Sequence, residues 1–392
     1  MLKYIKDPIY NDYLKFENEQ IKLIDNKYFK RLKNIKQLGS LHEVFPSATH
    51  TRFEHSLGVS NLGEKFTKCL FNNSGIRLTS NNLRTIRNIK IAGLYHDIGH
   101  GPFSHVFDHH VLHKLCPRNV YAEHENRSCL LVEHVIKNIC PKDFNGYDID
   151  FIKNCIDPKE QDKNKWEFGI IANKINSIDV DKFDYLIRDP YHIGFNYSFD
   201  HTRLFNKTRI INNEIYYHKA VVNDIYDMYS TRYNFHREIY NHKAVKAVEL
   251  MIGDILLDLD NIYNFNSIIG NPEEFYKLTD GIIDTVYLHE QQKNSQIILD
   301  RIANRDFYKE IYRTEGNDLD AVKDEILDTN KDTKEDDYHF VKMKFDFCNG
   351  DKSPFTEINF YEKTKKVDFS DLPIRKLQPE IFRESIISVY KK

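Results

Sequence analysis

The sequence predicts a mainly α-helical fold with a small C-terminal α+β lobe, and two patterns carry that prediction. Apolar residues recur at helical spacing through the first two-thirds of the chain, with Gly, Pro and Asn between the periodic stretches. Later, the run VKMKFDF at 341–347 alternates apolar and polar residues with the period of a β-strand. We therefore predict a helical core over residues 1–265 and an α+β lobe over residues 266–392.

Helical periodicity is found in seven stretches. They cover residues 18–38, 56–71, 83–96, 123–138, 166–177, 181–189 and 222–261. The last stretch contains no proline, which would break a helix interior, so it predicts one long helix or two abutting helices.

Short β elements interrupt the helical pattern. The run TRIINNEIYYH at 208–218 has β-prone residues on both sides of Asn212 and Asn213, which is typical of a hairpin. The run INFYEK at 358–363 is predicted to pair with the strand at 341–347. Residues 314–338 are dense in charge and poor in aromatic residues, which is typical of a mobile insertion or of a solvated helix and loop.

Composition excludes some functional classes. The 392 residues carry 56 basic and 59 acidic side chains and a formal charge of −3, so the strong positive field of nucleic-acid binders is missing. The six cysteines form no C-x-x-C pair, and we expect reduced thiols. The first residues carry charges and no long apolar run, so we expect a soluble, intracellular protein without a membrane span.

Histidines and acidic residues concentrate in two segments. HTRFEHSLGVSNL at 50–62 puts an arginine and a histidine on one helical face, and IAGLYHDIGHGPFSHVFDHH follows at 91–110. A single buried histidine usually finds a hydrogen-bond partner, but an array of this density indicates a functional site. The residues singled out are Arg52, His55, His96, Asp97, His100 and His105.

The neighbouring residues His96 and Asp97 can offer an imidazole nitrogen and a carboxylate oxygen to one cation. This mixed ligand set suits Fe, Mn or Zn better than Ca or an all-oxygen Mg site. His55 is the natural third ligand. A further carboxylate is needed, and INSIDVDKFDYLIRD at 175–189 supplies three candidates at helical spacing. They are Asp181, Asp184 and Asp189.

The motifs, taken in order, resemble one family. RFEHSLGV, IAGLYHDIGHGPFSH and IDVDKFDYLIRD form the H…HD…D pattern of the HD superfamily. DPIY near the start, IKQLGSLHEVFPSATH, TRYNFHREIYNHK and PEIFRESIISVYKK extend the resemblance to the sterile-alpha-motif and HD-domain deoxynucleoside triphosphate (dNTP) triphosphohydrolases over nearly the whole chain. The sterile-alpha-motif domain itself has no counterpart in these residues. The resemblance implies an HD-domain helical core.

The resemblance also implies a ligand set and a reaction, the hydrolysis of dNTPs to deoxynucleoside and triphosphate. The implied metal ligands are His55, His96, Asp97 and Asp181. The implied catalytic residues are His100, His105, Asp108, His124 and Glu125. Within this set we expect His105 to protonate the leaving 5′ oxygen, with Asp108 orienting it, and His124 and Glu125 to position or activate the water.

Substrate contacts follow by the same resemblance, with Mg accompanying the triphosphate. Arg52, Lys182 and Arg232 are expected to bind the phosphates. Gln37 and Asp189 are expected at the 3′ hydroxyl, and Leu38 and Tyr240 against the 2′ carbon. Tyr185, His236 and Asn241 are expected to line the remaining pocket, where Asn241 replaces a glutamine of the mammalian relatives near the base.

Regulation is less well matched. The resemblance implies a homo-oligomer, a dimer or tetramer, activated by GTP or dGTP. At the first activator site Lys3 and Asp25 match the family, whereas Lys30 and Lys33 replace a glutamine and an arginine. His218 and Ala220 replace two cations of the second activator site, so we expect altered or absent activation by dNTPs.

Two other functions compete with this one. Another HD-superfamily enzyme, such as a nucleotidase, a cyclic-nucleotide phosphodiesterase or an alarmone hydrolase, would share the metal motif but not the sugar cluster of Gln37, Tyr240 and Asp189. A catalytically silent nucleotide sensor would need neither the metal ligands nor the His124–Glu125 pair.

Overall fold

The fold was determined as a computed structural model, which describes residues 2–196, 199–329, 333–372, 374, 376 and 379–392. Helices dominate these residues, and the strands form small sheets. The predicted mainly α fold is therefore confirmed. In the described residues no helix has both the length and the apolar character needed to cross a membrane.

Helices occur along most of the chain, whereas strands lie near its start and in its second half. The α-helices, in chain order, are α1 (Asn18–Ile24), α2 (Lys27–Lys30), α3 (Arg52–Asn73), α4 (Ser80–Tyr95), α5 (His113–Leu115), α6 (His124–Ile139), α7 (Gly146–Ile156), α8 (Val180–Ile193), α9 (His201–Asn206), α10 (Val222–Asn234), α11 (Lys243–Tyr263), α12 (Phe265–Ile268), α13 (Pro272–Phe275), α14 (Lys293–Ala303) and α15 (Leu319–Thr329). The strands are β1 (Leu2–Asp7), β2 (Asp12–Glu17), β3 (Thr208–Ile211), β4 (Glu214–His218), β5 (Lys309–Glu315), β6 (Tyr338–Asp346), β7 (Phe360–Glu362), β8 (Lys365–Val367) and β9 (Arg383–Lys391). Two π-helical segments cover Phe107–Leu112 and Phe235–Tyr240.

Helix α3 lies at the centre of the fold, where it packs against α4 and α8. Thr51 and Glu54 form a reciprocal capping box at its start, which satisfies backbone donors that would otherwise lack partners. Leu62 and Phe66 are fully buried on α3 and lie in the same apolar core as Phe183 of α8. This packing brings the C-terminal end of α4 and the start of α8 to one end of α3, where the histidines lie.

Two of the stretches with helical periodicity do not form a continuous helix. The stretch 18–38 breaks because Asn26 accepts a hydrogen bond from the backbone N–H of Phe29 and so caps a new helix after α1 ends. The stretch 166–177 forms only a 3₁₀ turn at Trp166–Gly169. After it, the Asn173 side chain accepts two backbone N–H groups, an alternative to helical hydrogen bonding.

The stretch 222–261 forms two abutting helices, one of the two predicted forms. Helix α10 continues into the π-helical segment Phe235–Tyr240, and α11 begins after Asn241 and His242. The His242 side chain accepts the backbone N–H of Ala244 and caps α11. The break turns Tyr240 and Asn241 toward the cleft described below.

The hairpin at 208–218 is confirmed, with φ values of 51° at Asn212 and 64° at Asn213 in its turn. The predicted pairing of 341–347 with 358–363 is wrong. Strand β6 pairs along its whole length with β9, from Tyr338 opposite Lys391 to Asp346 opposite Arg383. Strand β7 instead adds in parallel to β4, in a sheet of order β3-β4-β7-β8. The hairpin of β1 and β2 was not predicted.

The charged segment 314–338 contains helix α15, which buries Val322 and Ile326 against Tyr338 and Val389 of the three-stranded sheet β5-β9-β6. The helix is therefore solvated on one face and packed on the other. Residues 330–332 of this segment lie outside the described residues.

Candidate metal centre and catalytic cleft

Four polar side chains meet near the N-terminal end of α3, and they come from the start of α3, the turn after α4 and the start of α8. The His55 Nε2 atom lies 3.1 Å from Asp181 Oδ1 and 3.5 Å from Asp97 Oδ2. The His96 Nε2 atom lies 3.4 Å from Asp181 Oδ1 and 3.4 Å from Asp97 Oδ1. The ligand atoms of His55, His96 and Asp181 all lie within 4.8 Å of one another, so these residues can hold a metal ion.

Two observations indicate that a cation fits this cluster. The Nε2 atoms of His55 and His96 are buried, and neither makes a well-aligned hydrogen bond within the described part of the chain, although carboxylate oxygens lie close to both. Burial lowers the pKa of His55, but Asp181 and Asp184 outweigh it and raise the pKa to about 10. The cluster thus favours a positive charge between its carboxylates, which a divalent metal provides together with bonds to both nitrogens.

Buried groups orient the two imidazoles. His55 Nδ1 lies 2.8 Å from Asp184 Oδ2, and Arg188 Nε donates to the same oxygen at 2.7 Å. His96 Nδ1 lies 2.9 Å from the carbonyl oxygen of Gly93. Partners of this kind on the far ring nitrogen fix the tautomer and direct Nε2 at the metal.

A second group of imidazoles lies beside the first cluster. The rings of His100 and His124 stack with centroids 3.9 Å apart, and the His105 ring stands edge-on to His100 at 5.0 Å. Asp108 was expected to orient His105, but its Oδ2 lies 3.0 Å from His124 Nδ1. Arg127 donates to the other oxygen of Asp108 and so holds the carboxylate on the His124 side.

Both groups border one cleft of about 630 Å³. The predicted catalytic residues His100, His105, His124 and Glu125 line it, as do the predicted ligands Asp97 and Asp181. Asp108, His55 and His96 are not among the residues that line the cleft, and all three are buried. The predicted substrate residues that line it are Gln37, Leu38, Arg52, Lys182, Tyr185, Asp189, Arg232, His236, Tyr240 and Asn241.

Residues 52–188 match the HD domain, and residues 199–339 match the HD associated region. The chain belongs to the HD-domain superfamily. An HD domain-containing protein of Acanthamoeba polyphaga mimivirus is 36% identical over 90% of this chain and 83% of its own length. The deoxynucleoside triphosphate triphosphohydrolase SAMHD1 of Bos taurus is 33% identical over 100% of this chain and 75% of its own length. A SAMHD1 homolog of Dictyostelium discoideum is 30% identical over 99% of this chain and 77% of its own length. The family resemblance of the sequence is thereby confirmed.

Three of the cations that line the cleft in this HD-domain chain, Arg52, Lys182 and Arg232, are each held differently. Arg52 bonds Asp97 and donates from Nε to Ser104 Oγ at 2.8 Å. Lys182 Nζ lies 2.9 Å from Asp179 Oδ2. Arg232 Nη1 donates to a backbone carbonyl at 3.2 Å, while its buried Nε has no hydrogen-bond partner in the described residues. The Nε–H group of Arg232 is therefore available to donate a hydrogen bond to an anionic ligand.

At another part of the cleft, Asp189 is held on both oxygens. His50 Nε2 lies 2.8 Å from Asp189 Oδ1, and the Tyr240 hydroxyl donates to Asp189 Oδ2 at 2.5 Å. The buried Oε1 of Gln37 has no partner among the described residues, so it can accept a ligand hydroxyl. The His236 ring stands edge-on to Tyr240 at 5.1 Å, and Asn241 donates to the carbonyl of His236 at 2.8 Å.

Three of the four side chains at the predicted first activator site lie together near the surface. Lys3 Nζ lies 2.7 Å from Asp25 Oδ2, and Lys30 Nζ lies 3.3 Å from Asp25 Oδ1. Lys33 instead places its Nζ atom over the Phe53 ring, 4.7 Å from the ring centroid. His218 caps a short turn by accepting the N–H of Ala220 at 3.1 Å.

Sequence reasoning missed several members of the site. His109, Lys246 and Glu249 line the cleft, and His50, Arg127 and Arg188 hold groups that line or support it. The Asp184–Arg188 pair has the i, i+4 spacing of a helical ion pair, which the sequence displays. The pairing of Asp108 with Arg127 joins two elements, and no local pattern reveals it.

Proposed function

We propose that this protein is a metal-dependent hydrolase that converts dNTPs to deoxynucleoside and inorganic triphosphate. The observation that carries the proposal is the shared cleft, which is lined by Asp97 and Asp181 of the His/Asp cluster, by the imidazole group, by the cations Arg52, Lys182 and Arg232, and by Asp189 and Tyr240. The HD-domain match and the relatives that are named dNTP triphosphohydrolases support the same reaction class.

The proposed metal ligands are His55, His96, Asp97 and Asp181, and the mixed nitrogen and oxygen set suits Fe, Mn or Zn. When bound, such a cation polarises a phosphoryl oxygen and lowers the pKa of coordinated water from about 15.7 toward about 7. Mg is proposed to enter with the triphosphate. The Arg52, Lys182 and Arg232 side chains would neutralise the phosphates by charge-assisted hydrogen bonds.

Water attack at the α-phosphorus breaks the bond to the 5′ oxygen, which leaves as a hydroxyl after gaining a proton. We assign that proton to His105, whose side chain is exposed to the cleft. His124 and Glu125, with His124 Nδ1 and Glu125 Oε2 3.4 Å apart, would position the water and accept its proton. Asp108 acts through His124 as a positioning residue.

The sugar is proposed to bind beside Asp189, with Gln37 and Asp189 at the 3′ hydroxyl. His50 and Tyr240 occupy one oxygen each of the Asp189 carboxylate and so fix its orientation. Leu38 and the Tyr240 ring would pack against the 2′ carbon. A packed ring at this point has no partner for a ribose 2′ hydroxyl, so deoxyribose is favoured over ribose.

Regulation is proposed by analogy with the same matched residues. GTP or dGTP would bind at Lys3, Asp25, Lys30 and Lys33 in a dimer or tetramer. The ion pair of Lys3 with Asp25 would have to open for the guanine and phosphate contacts to form. Because His218 and Ala220 replace cations, dNTP activation at the second site is expected to be weak or absent.

The test is to incubate the purified protein with each dNTP, each ribonucleotide, deoxynucleoside monophosphates and cyclic nucleotides, in Mn or Mg and then in chelator. Chromatography separates deoxynucleoside, triphosphate and inorganic phosphate. We expect metal-dependent release of deoxynucleoside and triphosphate from dNTPs, lost in His96→Ala and retained in the control His289→Ala, since His289 does not line the cleft.

Other products would identify the alternatives. Inorganic phosphate from monophosphates, or opening of cyclic nucleotides, would indicate another HD-superfamily enzyme and would contradict the sugar contacts. Binding of dNTPs without turnover in every metal tested would indicate a nucleotide sensor. A dependence of the dNTP reaction on added GTP would establish the activator.

A further inference from the structure

The imidazoles of His100, His105 and His124 form a group with the geometry of a metal site. Their ligand atoms lie within 4.8 Å of one another, the same limit that the cluster of His55, His96 and Asp181 meets. Three imidazoles that converge in this way each carry a ring nitrogen able to bind a cation. The geometry alone therefore places two candidate cation sites side by side.

In both groups a buried carboxylate contacts the far nitrogen of a histidine, and a buried arginine holds that carboxylate. In the first cluster, His55 Nδ1 contacts the Asp184 carboxylate, which Arg188 holds. In the second, His124 Nδ1 contacts the Asp108 carboxylate, which Arg127 holds. Both carboxylates and both guanidinium groups are fully buried. A carboxylate on the far nitrogen is the usual means of directing the other nitrogen of a histidine at a metal.

His100 adds an independent observation. Its Nδ1 atom is buried and has no hydrogen-bond partner in the part of the chain that the structure describes. Its Nε2 atom lies 3.4 Å from Asp97 Oδ1, which is also 3.4 Å from His96 Nε2. Asp97 thus stands between the two groups and supplies negative charge to both.

We propose that His100, His105 and His124 form a second cation site, which binds Zn²⁺ or a similar transition metal ion. Three nitrogen ligands suit Zn²⁺, whereas Mg²⁺ and Ca²⁺ require oxygen ligands. The site has an open side, because His105 is exposed to the cleft. A cation can therefore enter without unfolding of the surrounding helices.

The site has a consequence for catalysis, and this consequence rests on the proposed function. His105 and His124 are the groups proposed to move protons, and an imidazole that binds a cation cannot do so. Zinc beyond one equivalent should therefore inhibit dNTP hydrolysis, and a chelator of moderate affinity should restore it. Metal binding itself is measured without any nucleotide, so it stands or falls separately from the reaction.

The experiment measures zinc content after chelator treatment, dialysis against ZnCl₂ and removal of free metal, by plasma mass spectrometry and by calorimetric titration. We expect two zinc ions per chain in the unsubstituted protein and in the control His289→Ala. His55→Ala and His105→Ala should each retain one, and the double variant none. His105→Ala is chosen because the His105 side chain is exposed, and circular dichroism verifies that each variant is folded.

Two results would overturn the proposal. One is a single equivalent of zinc in the unsubstituted protein that is lost in His55→Ala and kept in His105→Ala. The other is two equivalents that persist in folded His105→Ala, which would put the second zinc elsewhere. MgCl₂ in place of ZnCl₂ should leave this group empty, and competition by Mg²⁺ for the second equivalent would also contradict the nitrogen ligand set.

Discussion

Gly58 lies about one helical turn after His55 on α3, facing Asp184 and Arg188 of α8. A Cβ atom at this position would overlap the carboxylate of Asp184 and would lie 2.5 Å from Arg188 Nη2. The Asp184–Arg188 pair is fully buried and also contacts His55. The substitution Gly58→Ala must therefore displace a buried ion pair that orients a proposed metal ligand.

The magnitude follows from two opposing effects. Alanine in a helix interior is favoured over glycine by about 1 kcal/mol. Breaking a buried ion pair costs about 3–5 kcal/mol. We expect the free energy of unfolding to fall by the difference, about 2–4 kcal/mol. The metal affinity should fall as well, because changes in the groups that orient ligands typically cost about 10- to 100-fold.

The assay is guanidinium unfolding of the chelator-treated protein, followed by circular dichroism, with zinc content measured in parallel. Gly146→Ala is the matched control, because a Cβ atom there meets nothing within 4 Å and Gly146 begins α7. The control should be as stable as the parent protein or slightly more stable. A Gly58→Ala midpoint equal to or above that of the parent protein would refute the steric argument.

Three further predictions concern the sugar contact, the acid stability and helix α15. Tyr240→Phe removes the hydroxyl that holds Asp189, so KM for dNTPs should rise about 10- to 100-fold in steady-state kinetics, since a hydrogen bond to a charged group contributes about 1.5–3 kcal/mol. Burial raises the pKa of Asp148, but the hydrogen bond from Arg84 and other contacts outweigh it and lower the pKa. Its contribution to the free energy of unfolding is therefore complete above about pH 4 and is lost as the pH falls below that value. In Asp148→Asn, the free energy of unfolding measured in urea should depend less steeply on pH in this acid range. Ile326→Ala should destabilise α15 by about 2–4 kcal/mol and remove hydrogen-exchange protection from residues 319–329.

Each of these predictions has its own check. An unchanged KM in Tyr240→Phe would mean that Asp189 does not need the tyrosine for its orientation. If the free energy of unfolding fell equally steeply with acid pH in the parent protein and in Asp148→Asn, Asp148 would not be the titrating group. Unaltered exchange in 319–329 after Ile326→Ala would mean that the charged segment is stable without its contact to the sheet.

Periodicity predicted the helices that present one apolar face to the core. Helices α3 and α8 fall close to their predicted bounds because their apolar residues recur every three or four residues along the chain. The stretch at 166–177 has similar spacing, but the side chain of Asn173 binds the backbone N–H groups that a helix would use. The partner of β6 could not be predicted, because β9 lies far along the chain and pairing carries no local signal.

The candidate site also contains residues that a local motif predicts and residues that only the tertiary packing brings together. The residues that line the cleft belong to motifs that the sequence displays, so most could be proposed before the fold was known. The groups behind them could not. His50 on Asp189 and Arg127 on Asp108 are contacts between separate elements, and such contacts depend on the packing of the whole helical core.

The central position of β9 has a consequence for the order of assembly. Strands β5 and β6 both pair with β9 and not with each other, so neither has its partner until residues 383–391 have been synthesised. A premature stop codon anywhere between β6 and Arg383 would leave both strands without a partner, and unpaired strand edges tend to associate between molecules. Truncation should therefore produce aggregates during translation even when the helical core is complete.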